Sequence, residues 1–78
     1  MIKERIKLVW EFKGPDAEHF AVHHEVHLKQ YAAAENLLDT AFTSEELSPE
    51  FWMASITVNK SDMIKVRDAL KPHRGFKA

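Results

Sequence analysis

RIKLVWEFKGPDAEHFAVHHEVHLKQYAAAE, residues 5–35, changes its hydrophobic period once, at Gly14-Pro15-Asp16. Before the break, Ile6, Leu8, Trp10 and Phe12 alternate with Arg5, Lys7, Val9, Glu11 and Lys13, the two-residue repeat of a strand with one buried face. Pro15 cannot donate to a strand ladder, and Asp16 stands where a helix cap belongs. Beyond it, Ala17, Phe20, Ala21, His24, Leu28, Tyr31, Ala32 and Glu35 recur at helical spacing, with Asp16 and Glu18 at the positive end of the dipole. The pattern predicts roughly 19 residues of helix, closing near Asn36.

Outward from this stretch, residues 37–43 read as a second strand, because Leu38, Thr40 and Phe42 alternate with Leu37, Asp39 and Ala41. Residues 43–50 read as a connection with room for one helical turn: Thr43 and Glu46 have capping-box spacing, and Ser48-Pro49-Glu50 is a common helix start. Residues 51–59 alternate again, Trp52, Ala54, Ile56 and Val58 against Met53, Ser55 and Thr57. Asn59 or Ser61 then caps a second helix that turns Met63, Val66 and Leu70 inward and stops at Pro72. Residues 74–78 are a frayed tail or a brief fourth strand. No internal repeat or low-complexity tract interrupts the order, which is expected to form one domain over residues 1–78.

A chain of 78 residues can bury only about 60% of its unfolded surface, so self-association is a natural source of added stability. The lack of cysteine removes disulfides, thiolate zinc sites and thiol nucleophiles together. No apolar run approaches the roughly 18 residues of a membrane span, and Lys3, Glu4, Arg5 and Lys7 break up the opening segment in a way foreign to a signal peptide. The expectation is a soluble, cytoplasmic protein. The net charge of -1 conceals three blocks: +2 over residues 1–13, -7 over 14–51 and +4 over 52–78. An acidic middle and a basic tail suit self-association better than nucleic acid, for which a basic stripe and a high pI would be expected in place of about 6.5.

The order strand, helix, strand, strand, helix and a possible last strand resembles the ferredoxin-like split βαβ plan, an α+β class in which two helices cover one face of an antiparallel sheet. On that plan Ile6, Leu8, Trp10, Phe12, Trp52, Ala54, Ile56 and Val58 face the helices. Lys7, Val9, Glu11, Met53, Ser55, Thr57 and Ala41 are left on the open face. The chain is also similar in plan to the dimeric α+β barrels. That resemblance implies a homodimer packed sheet against sheet, and a small-molecule cavity between helices and sheet.

The helix from Asp16 holds four of the five histidines, His19, His23, His24 and His27. His24 lies on the apolar stripe, aimed toward Trp10 or Trp52, where burial lowers an imidazole pKa and suits it to acid-base work. Tyr31, two turns on, can supply a hydroxyl or serve as core packing. The candidate catalytic pair is therefore His24 and Tyr31, and the candidate ligand contacts are Trp10, Trp52 and His27. The ordinary alternative is a core histidine with one hydrogen bond. His23 and His27 stand four residues apart and can share one transition metal, whereas His19 and His27, about 12 Å apart along the axis, cannot. The metalloprotease pattern fails, since Leu28 occupies the place of its second histidine. Lys71, His73, Arg74 and Lys77 form a weaker basic patch. With Gly14 and Gly75 the only glycines, the common nucleotide loops are excluded and no cofactor is expected. Three functions remain: a non-catalytic dimeric domain that binds a small molecule or a protein partner, a small dimeric enzyme using His24, or a histidine-based metal binder.

Overall fold

The two alternating segments pair with each other. β1 (Arg5–Lys13) lies antiparallel to β3 (Phe51–Asn59), in register from Arg5 opposite Asn59 to Lys13 opposite Phe51. Because side chains alternate along a strand, this register puts Leu8 beside Ile56, Trp10 beside Ala54 and Phe12 beside Trp52 on one face. The computed structural model describes residues 4–77, and adds α1 (Ala17–Ala34), β2 (Ala41–Ser48), α2 (Lys60–Leu70) and β4 (Arg74–Lys77). The sheet is four-stranded and antiparallel in the order β2-β3-β1-β4, so the chain is α+β. The short last strand of the sequence reading is β4; Ala78, which that reading included, lies outside the described residues.

Both helices rest on the face that carries the tryptophans. Ala21, Leu28 and Ala32 of α1 and Val66 of α2 form one buried cluster with Leu8, Trp10, Ala54, Ile56 and Val58. Small side chains meet at the crossing: Ala21 and Ala54 are fully buried, and they let α1 approach the sheet backbone closely. Trp10 ties in the second helix, its Nε1–H donating to the Leu70 carbonyl at 3.1 Å. Lys71, in the left-handed region at φ 50°, then ends α2 with its N–H on the Arg67 carbonyl.

The turn between β1 and α1 depends on Gly14, whose φ is +112° and whose N–H donates to the Glu50 carbonyl at 2.8 Å. A Cβ there meets no atom within 4 Å, so Gly14→Ala changes backbone strain alone. It should cost about 1–2 kcal/mol, read as a lower urea midpoint with an unchanged slope. Asp16 does occupy the cap position of α1, but its side chain makes no capping hydrogen bond. It contributes there through its charge at the helix N-terminus.

β2 begins four residues later than the alternation from Leu37 suggests. Asn36 and Asp39 both have positive φ, which folds residues 36–40 into a descent from the helix layer to the sheet edge. Leu37 packs against the core, its N–H on the Ala32 carbonyl, and the Arg5 guanidinium donates to the Asp39 carbonyl. The strand then continues to Ser48 through the segment expected to hold a helical turn. Pro49 and Glu50 make the hairpin turn instead, Glu50 taking the positive φ of 61° that follows proline in a type II turn. The polar composition misled because β2 is an edge strand. Of its helix-side row, Phe42 packs on the core while Ser44 and Glu46 lie toward the margin of the sheet.

The open face also differs from expectation. Val9 and Met53, expected at the surface of the open face, are 3% and 7% exposed within the single chain. The register flanks Val9 with Ser55 and Arg74, and the Arg74 Nε donates to Glu11 Oε1 at 3.2 Å alongside it. Ser55 is buried too, its hydroxyl 2.5 Å from that of Thr43. Phe76 on β4, opposite Lys7, is a large apolar side chain that this face leaves half exposed.

Candidate functional site

At about 100° per residue, Phe20, His23, His24 and His27 fall within one arc of α1 roughly 100° wide, turned aside from the core arc of Ala17, Ala21, Leu28 and Ala32. His24 stands at the border between the two arcs, so its ring goes under the helix while the other three side chains stay at the surface. The result is a cleft of about 360 Å³ lined by Phe12, Phe20, His23, His24, His27 and Leu70, at the bottom of the range for small-molecule sites. β1 supplies its floor, α1 one wall and the end of α2 the other.

His24 is the most constrained group in the cleft. Its ring centre lies 4.7 Å from that of Trp10 at a 56° tilt and 5.6 Å from that of Phe12 at 59°. Its Nε2 is buried with no hydrogen-bond partner. The tilted approach to Trp10 offers an N–H···π contact as partial compensation. Desolvation pushes the His24 pKa below the ordinary histidine value, and the neighbouring His27, His73 and His23 push it the same way. At neutral pH the ring is uncharged, with one nitrogen able to donate and the other to accept.

The other histidines divide by role. His23 and His27 bring their Nε2 atoms to 2.9 Å, with ring centres 4.5 Å apart. His19 stacks parallel on His23 at 6.2 Å and stays outside that pair. His73, read from sequence as part of a basic patch, is a structural residue: its Nδ1 accepts the Glu11 backbone N–H at 2.9 Å, and its own backbone N–H donates to the Val9 carbonyl. This bond assigns the His73 proton to Nε2. Arg74 of the same patch is paired with Glu11, and Arg67, which shares a second surface depression with it, is paired with Asp68.

Of the residues singled out by sequence, the cleft collects His23, His24 and His27 directly, with Trp10 behind His24 as packing. Tyr31 and Trp52 are not among its lining residues. Tyr31 packs on the core further along α1, near the Lys65–Glu35 ion pair, and Trp52 sits opposite Phe12 and Glu46 in the sheet. Phe12, Phe20 and Leu70 line the cleft without having been nominated. Phe20 shares the helical spacing of the apolar stripe, yet it is 53% exposed at the rim. Its four-residue spacing from His24 was the available signal. Among the described residues, no three histidine, aspartate or glutamate side chains gather to hold a metal. No helix of the described residues is long and apolar enough to cross a membrane. In comparison with known proteins, no family model, no curated protein and no solved structure matches this chain, so the reading of the cleft rests on its own chemistry.

Proposed function

We propose that this chain is a ferredoxin-like domain of cytoplasmic type that binds a small aromatic molecule carrying one hydroxyl in the cleft beside His24, without catalysing its conversion. The observation that carries the reading is the unpartnered Nε2 of His24 next to a lining of Phe12, Phe20 and Leu70. A buried polar atom with no partner costs about 1–3 kcal/mol, and a ligand that satisfies it recovers that cost. A phenolic hydroxyl both donates and accepts, so it serves either tautomer of His24. Half-exposed Phe20 is the rim residue that yields as the ligand reaches Nε2. The lining holds imidazoles and hydrocarbon but no carboxylate to orient His24 as a base, and Tyr31 stands apart from it. Binding is therefore favoured over acid-base catalysis.

We further propose that a second copy covers the open sheet face. That face runs from Glu45 on the β2 edge to Arg74 on the β4 edge, with Phe76 half exposed. A two-fold axis along the strands lays each acidic edge over the partner's basic one. Sedimentation of the protein at micromolar concentration should give a dimer that Phe76→Glu converts to a single chain; a parent protein that sediments as one chain would reject this assembly.

The ligand reading is tested by NMR titration with p-cresol and with toluene. We expect saturable shifts at Phe12, Phe20, His24 and Leu70, with p-cresol held roughly three- to tenfold tighter than toluene, the worth of one hydrogen bond. In His24→Phe the two should bind alike. Absence of saturable shifts with p-cresol, or equal binding of both by the parent protein, would reject the reading.

A further inference from the structure

The His23–His27 pair carries a separate inference. We propose that these two imidazoles form a chelate for a copper(II) or nickel(II) ion on the rim of the cleft. Without an ion the two Nε2 atoms share one hydrogen bond of 2.9 Å, and loss of that proton leaves two imidazole nitrogens free to take an ion. A head-on N–H···N bond of that length would hold the ring centres more than about 5 Å apart. The observed 4.5 Å means that the rings bend toward a common point.

The separation also selects the ion. Nitrogens about 2.05 Å from a metal stand roughly 2.9 Å apart when they subtend a right angle, and about 3.3 Å apart at the tetrahedral angle. The observed 2.9 Å lies nearer the right angle, the arrangement of square-planar or tetragonal Cu(II) and Ni(II), than the wider spacing of tetrahedral zinc. The helix supports the pair: residues four apart lie one above the other on one face, and folding of α1 positions both rings before any ion arrives. Two protein donors leave the remaining positions to water, so the ion is exchangeable and the site is open on its solvent side. Neither donor is the buried Nε2 of His24, and the inference stands apart from the small-molecule reading.

The test uses the untagged full chain, dialysed separately against nickel(II), copper(II) and zinc(II) chloride. We expect one nickel or copper ion per chain, with affinity lost at least tenfold in His23→Ala and in His27→Ala and retained in His19→Ala. Nickel should be held at least as well as zinc. It should also raise the melting temperature of the parent protein and leave that of His27→Ala unchanged, because only the folded helix presents both rings. No retained ion, retention that survives His27→Ala, or zinc displacing nickel would overturn the proposal. The p-cresol titration reads His24 independently, so failure of either reading leaves the other standing.

Discussion

Trp10→Ala should lower stability by about 3–5 kcal/mol, the usual cost of emptying a large aromatic site in a core. Trp10 projects from β1 and is buried beneath the helices, it carries the ring against which His24 rests, and it bonds Leu70. Native domains hold only about 0.05–0.15 kcal/mol per residue, so this one change takes much of the total for so small a chain. Trp10→Phe separates two parts of the effect. It keeps a ring beside His24 and gives up the hydrogen bond from Nε1 to the Leu70 carbonyl, with an expected loss of about 1–2 kcal/mol. Urea unfolding followed by far-ultraviolet circular dichroism measures both variants. A loss under about 1 kcal/mol in Trp10→Ala would mean that the ring is not a packed part of the core.

Leu28→Ala is expected to cost about 2–5 kcal/mol, because Leu28 is the largest α1 side chain in the fully buried set and its removal leaves a cavity between helix and sheet. Val26, two residues earlier, is an internal comparison. It is exposed on the opposite side of α1, and Val26→Ala should change stability by no more than about 0.5 kcal/mol. The pair tests the rotation of α1 about its axis, on which the cleft depends. If α1 were turned so that Val26 faced the sheet, the two costs would exchange, and His24 would no longer stand beside Trp10.

Much of the architecture was legible because the two central strands have a buried face. In β1 and β3 the apolar row and the register agree residue by residue, so the shared side of Trp10 and Trp52 followed from alternation. The second strand was less legible. At a sheet edge neither face need be apolar, and Ser44 spends its hydroxyl on Glu25 Oε1 at 2.8 Å, a polar contact at a position whose parity marks it as helix-facing. The candidate site was partly legible. Four-residue spacing found the His23–His27 pair, and stripe position found His24, but the walls of the cleft come from Phe12 and Leu70, remote in sequence from α1. Tyr31 shares the helix with His24 but not the cleft, since seven residues carry it about 10 Å along the axis.

The sequence by itself determined the element order, though neither bound of β2, together with the inward row of each central strand and the clustering of histidines on one helix. Those features follow from backbone periods of two and 3.6, which act over a few residues and need no distant partner. Tertiary structure alone decided that Val9 and Met53 are covered without a second chain, that His73 locks β4 to β1, and that His24 keeps a buried nitrogen without a partner. Each depends on which side chains a register or a helix crossing brings together from far apart in the chain, and close packing, which settles those contacts, acts on shapes that exist only once the layers have met.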